Sequence, residues 1–194
     1  MLDVHYGNDS LFFVTATGNL KKNYGIYNIN NDEIIPYIEY PQGVNDHLSE
    51  AGKSRIYYSH ILRKPGTVIF AAFKDKHHMV DILEIKNDSL VLVKRRTFSH
   101  FKWFFKNKIC KPIDKDAPRR VFTSKLLALP NYMCALYKVG TLNYILVFDW
   151  LGTPLYSFEL PCHLLGFTGD ENFLYGIAAI GEKYHLIRFS LKLD

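Results

Sequence analysis

The sequence is poor in cysteine and has no long apolar run, and each shortage excludes a class of protein. The three cysteines, Cys110, Cys134 and Cys162, show no C-x-x-C spacing, which excludes a zinc knuckle and a thioredoxin-like motif. No apolar run reaches the length of about 18 residues that a transmembrane helix needs. The N-terminal residues lack the basic start and apolar stretch of a signal peptide. We therefore expect a cytosolic chain, or the C-terminal part of a protein whose leader lies upstream.

The sequence also lacks the short motifs of common enzyme classes. It contains no G-x-S-x-G elbow and no Walker-type phosphate loop. Residues 46–50 include Asp, His, Ser and Glu, but a triad needs convergence in space that a sequence does not show. His77 and His78 are adjacent, and on a strand their rings would point to opposite faces. We expect no catalytic residue, no metal and no cofactor, and we favour a protein that is not an enzyme.

Apolar and aromatic residues dominate what is present. The chain of 194 residues is 48% hydrophobic and 15% aromatic, with 22% charged residues. This composition is that of a globular domain with a sizeable core, and the aromatic content favours strands over helices. It excludes a disordered chain, a collagen and a coiled coil.

Short apolar runs recur four times along the chain. The first run of each unit covers residues 11–16, 67–73, 132–137 and 173–179. A second run follows at residues 24–29, 80–85, 144–149 and 185–191. Turn residues come next in the first three units. In residues 149–152, an Asp at the first position and a Gly at the fourth suit a type I turn. A third run leaves each turn, and a less regular stretch precedes each unit.

Four antiparallel strands repeated in tandem are typical of a β-propeller, in which each sheet packs on a neighbour at both faces. We predict an all-β fold, a β-propeller of four-stranded antiparallel blades, with three full blades and a partial fourth. The single predicted domain spans residues 1–194, with blades at residues 2–41, 55–98, 120–161 and 163–191. A β-sandwich and a closed four-bladed ring are the alternatives. Residues 56–61 and 101–108 also fit short helices.

Three segments resemble the TolB-like six-bladed propellers of Bacteroides-type bacteria. They are residues 16–40 (with TG at 17–18 and YGIY at 24–27), 144–161 (YILVFDWLGTPLYSFELP) and 169–178 (GDENFLYGIA). The resemblance implies a six-bladed ring of which this chain is the C-terminal part, and a periplasmic or cell-surface lipoprotein. It implies no established activity and supplies no catalytic residue. The segment at residues 94–120 departs from the pattern because it is longer and more basic.

The net charge is +5, and one segment carries all of the excess. Residues 94–120 contain ten Lys or Arg and two Asp, which gives +8, whereas the other fourteen bases and seventeen acids give −3. Aromatic residues are interleaved with these cations, a combination that binds anionic polymers or anionic membrane surfaces. The candidate ligand-binding residues are Lys102, Trp103, Lys106, Lys108, Arg119 and Arg120. The alternative is a solvated basic connection between blades at residues 99–119.

Loops at one end of a propeller converge, so the predicted blade-end loops are further candidates. They are residues 19–23, 74–78, 138–143 and 181–183, and each contains a Lys. We expect a non-catalytic binding or scaffolding module of the cell envelope, with a protein or glycan partner or with self-association through exposed blade edges. Binding of an anionic polymer or membrane surface through residues 94–120 is one alternative. A hydrolase site at the channel mouth is the other.

Overall fold

The computed structural model describes residues 4–6, 10–15, 22–43, 45–98, 103–106, 109–112, 122–139 and 142–191. The first sheet contains β1 (Val4–Tyr6), β2 (Leu11–Thr15), β3 (Tyr24–Asn28) and β4 (Glu33–Tyr37). Helix α1 (Glu50–Ile56) precedes the second sheet, which contains β5 (Ser59–Arg63), β6 (Ile69–Lys74), β7 (Met79–Lys86) and β8 (Ser89–Thr97).

The rest of the described chain is also built of antiparallel strands. A hairpin of β9 (Trp103–Lys106) and β10 (Ile109–Pro112) follows the second sheet. The third sheet contains β11 (Phe122–Ala128), β12 (Tyr132–Val139), β13 (Leu142–Asp149) and β14 (Pro154–Leu160). The fourth contains β15 (Leu164–Gly169), β16 (Phe173–Ile180) and β17 (Lys183–Ser190). Within each sheet, every strand pairs with the next strand in the chain.

Turn residues set the register of these hairpins. Asn87 and Asp88 join β7 to β8 with φ values of 47° and 59°, as a two-residue type I′ turn requires. Between β13 and β14, the Asp149 carboxylate accepts a hydrogen bond from the backbone N–H of Thr153 at 2.7 Å, and Gly152 has a φ of 74°. The predicted turn from Asp149 to Gly152 is thereby confirmed.

The one helix in the described chain lies before the second sheet. The Ser49 hydroxyl caps it by accepting a hydrogen bond from the backbone N–H of Gly52 at 3.3 Å. The helix ends at Ile56, and Ser59 already pairs with β6, so the helical alternative for residues 56–61 is wrong. The helical alternative for residues 101–108 is also contradicted, because β9 pairs with β10 in an antiparallel hairpin.

The four main sheets stack face to face in chain order. Buried residues between the first and second sheets are Leu11, Phe13, Tyr24, Ile26, Phe70, Ala72, Leu83, Ile85 and Leu90. Those between the second and third are Ala71, Phe73, Val80, Ile82, Phe122, Met133, Ala135, Phe148 and Trp150. Those between the third and fourth are Leu129, Cys134, Leu136, Ile145, Val147, Leu160, Leu164, Leu174, Ala178 and Leu191. The second and third sheets therefore bury apolar side chains on both faces.

This is the blade arrangement of a β-propeller, with three four-stranded blades and a three-stranded fourth. The first strands of successive blades contact one another, β5 with β11 and β11 with β15, and so form the inner edge. Within the described residues the sheets do not close into a ring, which contradicts the closed four-bladed alternative. Four stacked sheets also contradict the β-sandwich, which has two layers. All described strands of the four sheets lie within the predicted blade ranges.

Candidate functional site

A buried polar cluster joins the first two sheets near one end of their strands. It consists of Tyr24 on β3, Lys74 on β6, Asp81 on β7 and Arg95 on β8. Lys74 and Asp81 have no solvent-exposed side-chain surface, whereas 24% of the Arg95 side chain is exposed. Asp81 and Arg95 are direct cross-strand partners, so their side chains leave the same face of the second sheet, toward the first.

The Asp81 carboxylate is the centre of this cluster. The Arg95 guanidinium donates to both of its oxygens, at 2.7 and 3.0 Å. The Tyr24 hydroxyl donates to Asp81 Oδ2 at 2.8 Å and accepts from Lys74 Nζ at 2.7 Å. Lys74 Nζ lies 3.8 Å from Asp81 Oδ2 and also donates to the Tyr57 carbonyl at 2.9 Å. The contacts thus connect β3, β6, β7, β8 and the segment that precedes β5.

Burial shifts the protonation equilibria of these side chains. It lowers the pKa of Lys74 to about 7, although the Asp81 carboxylate opposes this shift. It raises the pKa of Tyr24 well above its ordinary value, and the charge of Asp81 adds to that rise. An amine that is partly neutral at physiological pH has the chemistry of a nucleophile or base. Lys74 is closed off from solvent, however, so the cluster is an internal connection between sheets.

The two adjacent histidines pack on different neighbours. The His77 ring stacks on the Tyr57 ring with centroids 4.8 Å apart. His78 Nε2 lies 2.9 Å from the Tyr137 hydroxyl on β12, and burial lowers the pKa of His78. The two rings therefore face different neighbours, Tyr57 beside the second sheet and Tyr137 in the third. In the chain segments that the structure describes, no group of three His, Cys, Asp or Glu side chains is arranged to hold a metal.

The blade-end loops follow the second strand of each blade, but one of their lysines is not available to a ligand. Lys74, the first residue of the loop predicted at residues 74–78, is the last residue of β6 and is fully buried. Its amine is held in the polar cluster, whereas Lys76 of the same loop is part-exposed, and the predicted role of the loop in ligand binding stays a prediction. Residues 19–21 of the first predicted loop lie outside the described residues.

The structure describes only part of the basic segment at residues 94–120. Trp103 and Lys106 lie at the two ends of β9, where they pair with Pro112 and Ile109. The other candidate residues, Lys102, Lys108, Arg119 and Arg120, lie outside the described residues.

Two cations of this segment are engaged within the protein. Arg95 belongs to the polar cluster, and Arg96 donates to the Thr153 hydroxyl at 3.2 Å across to the third sheet. Part of the local excess of positive charge therefore serves contacts between strands and between blades. The ligand-binding role predicted for the six candidate residues stays a prediction.

A different surface of the fourth sheet carries exposed apolar side chains. We call it the last face, and its residues are Tyr175, Ile177, Tyr184 and Leu186, on the side of β16 and β17 that points away from the third sheet. Tyr184 and Leu186 are each 76% exposed, and Ile177 is 50% exposed. Arg188 also lies on this face, with its guanidinium 4.9 Å from the centre of the Phe173 ring. The last face is thus an apolar surface with one cation.

The register shows which position in a blade the last face occupies. In the third sheet, Leu136 pairs with Ile145, and both are buried against the fourth sheet. Leu136 is the fifth residue of β12, and Ile145 is the fourth residue of β13. In the fourth sheet, Ile177 is the fifth residue of β16 and pairs with Leu186, the fourth residue of β17. The last face is therefore the surface that receives the next sheet in the other blades, where the corresponding pair is buried.

Both features have partial signals in the sequence. Asp81 stands inside the apolar run of residues 80–85, which marks a charged group on a buried strand. The consecutive apolar residues at 173–175, 177–179 and 186–187 indicate apolar side chains on both faces of the fourth sheet. Neither signal identifies the partner of Asp81 or shows which face stays exposed, because both depend on residues distant in the chain.

Comparison with protein-family models and with curated proteins found no match for this chain. Within the described residues, the single helix has seven residues, and no helix is long and apolar enough to cross a bilayer.

Proposed function

We propose that this chain is a non-catalytic protein-binding module, in which stacked blades form a rigid frame and the last face accepts a protein partner. The observation that carries the proposal is the Ile177–Leu186 pair, exposed at the blade position where Leu136 and Ile145 are buried. Contiguous exposed apolar surface on a folded domain is typical of a site of protein interaction. Covering the exposed part of Leu186 alone would contribute roughly 1–2 kcal/mol.

The accessibility of the last face can be measured with a fluorescent dye that binds apolar protein surface. We expect the wild-type protein to bind an anilinonaphthalene sulfonate dye, and Leu186→Glu to bind it at least threefold more weakly. Leu151→Glu is the matched control, because Leu151 is 58% exposed but lies in the turn between β13 and β14. Equal dye binding by the wild type and Leu186→Glu, with both proteins folded, contradicts the proposal.

We further propose that the blades belong to a propeller of the TolB-like type, located in the cell envelope. The stacked four-stranded sheets support this proposal, and so does the hairpin of β13 and β14, which contains the resembling segment at residues 144–161. Fractionation of cells that express the protein at its natural level tests the location. Recovery in the cytosolic fraction alone contradicts an envelope location.

A further inference from the structure

We infer that the partner of the last face is a second copy of this chain, which docks through the outer face of its first sheet. This inference rests on the proposed function, because it names the occupant of the same surface. We call the docking surface of the second copy the first face. It is the side of β2, β3 and β4 that carries Phe12, Tyr27, Ile34 and Pro36, together with Val14, which is buried, and it lies opposite the side that packs on the second sheet.

The first face has the chemistry of the three surfaces that receive a preceding sheet inside the chain. Each of these surfaces has a row of large apolar residues on neighbouring strands. The internal rows are Phe70–Leu83–Leu92, Met133–Phe148 and Leu174–Phe189, and the row on the first face is Phe12–Tyr27–Ile34. A first face placed on a last face would therefore repeat the apolar contact that joins successive blades.

Charge favours the same pairing. The cation of the last face is Arg188, and Asp32 lies at the rim of the first face, where it accepts a hydrogen bond from the Tyr27 hydroxyl at 2.8 Å. The head-to-tail arrangement gives each last-face cation an anion at the opposing surface.

The dimensions of the last face predict how strong one such contact is. Strands β16 and β17 each have eight residues, so the three-stranded sheet measures about 27 Å by 14 Å. One junction then covers about 400 Å² on each copy, or about 800 Å² in total, which is below the range of stable specific interfaces and corresponds to a weak contact. Such a junction forms reversibly as protein concentration rises, and a second junction within the same pair would double the covered area.

Light scattering coupled to size-exclusion chromatography over a concentration series tests the inference with two variants. Leu186→Glu alters the last face and Ile34→Glu alters the first face. In a head-to-tail contact each variant alone is monomeric at 22.5 kDa, because every junction contains one altered surface. An equimolar mixture restores a species of twice that mass, since it pairs the intact last face of one variant with the intact first face of the other.

Other outcomes separate the failure of this inference from the failure of the proposed function. If Ile34→Glu associates like the wild type and Leu186→Glu does not, the last face pairs with itself. That result overturns the inference but not the proposed function, because the last face still binds a partner. A wild type that stays monomeric but binds the dye also overturns the inference. If circular dichroism shows Ile34→Glu to be unfolded, Pro36→Glu replaces it, because Pro36 is an exposed residue of the same face. Leu151→Glu is the control that associates like the wild type.

Discussion

Replacing Asp81 by Asn removes the charge at the centre of the polar cluster while keeping the shape of the side chain. The amide oxygen still accepts a hydrogen bond from Tyr24, but the charges of Arg95 and Lys74 lose their counter-ion. Removing one member of a buried ion pair costs about 3–5 kcal/mol. The Arg95 side chain is 24% exposed and can turn toward water, and the Lys74 amine, whose pKa is about 7, can lose its proton. We therefore expect a loss near the lower limit, roughly 3 kcal/mol.

The loss is measured by urea unfolding at pH 6, followed by far-ultraviolet circular dichroism. At that pH, which is below the pKa of about 7, the Lys74 amine is charged. Glu84→Gln is the matched control, because Glu84 lies on the same strand but pairs with exposed Lys86, and such a surface pair contributes less than about 1 kcal/mol. Equal losses for Asp81→Asn and Glu84→Gln, with unchanged m-values, would refute the reasoning.

A second substitution separates the cost of an unpaired Lys74 charge from the cost of a general packing defect. If the buried ammonium of Lys74 causes most of the loss, Lys74→Met costs less in the Asp81→Asn background than in the wild type. We expect the difference between the two backgrounds to be about 1 kcal/mol or more, as for groups in direct contact. Strictly additive losses would show that the Asp81 charge does not act on Lys74.

Two further predictions concern pH and a turn. Between pH 7 and about 10, the unfolded chain holds a proton on Lys74 that the folded protein has lost, so the free energy of unfolding rises with pH. Urea titrations across this range show a smaller rise for Lys74→Met, and an identical rise would contradict the lowered pKa. Gly152→Ala destabilises by about 1–2 kcal/mol in thermal unfolding, because φ is positive and the new Cβ would lie 3.1 Å from Arg96 Cγ. Gly166→Ala is its control, since a Cβ there meets nothing within 4 Å, and equal losses would contradict the prediction.

The blade repeat could be predicted from the sequence because its causes are local. Strand alternation and turn chemistry act over a few residues, as in the turn from Asp149 to Gly152, where one carboxylate and one positive φ fix the hairpin. The helical alternative for residues 56–61 is wrong for a related reason. Residues 56–61 have helical spacing, but the N-cap at Ser49 starts the helix earlier and the pairing of Ser59 with β6 ends the possibility of continuing it.

The polar cluster and the last face could not be derived in the same way. In the sequence, Lys74 falls in a predicted loop at residues 74–78. Its amine is buried only because the first sheet stacks on the second. Leu186 and Ile145 stand in similar apolar runs, yet one is exposed and the other is buried. The difference depends on whether another sheet covers the strand, which no local pattern encodes.

The stacking order has a consequence for how the protein unfolds. In the described part of the chain, each buried cluster between sheets joins two successive sheets, so the fold is a linear array whose total stability is approximately a sum over neighbouring contacts. The terminal units of such an array can open while the middle ones stay closed. Trp150 is buried between the second and third sheets, and its indole N–H donates to the Leu129 carbonyl at 3.0 Å. The fluorescence of Trp150 would then be among the last signals to change during denaturation.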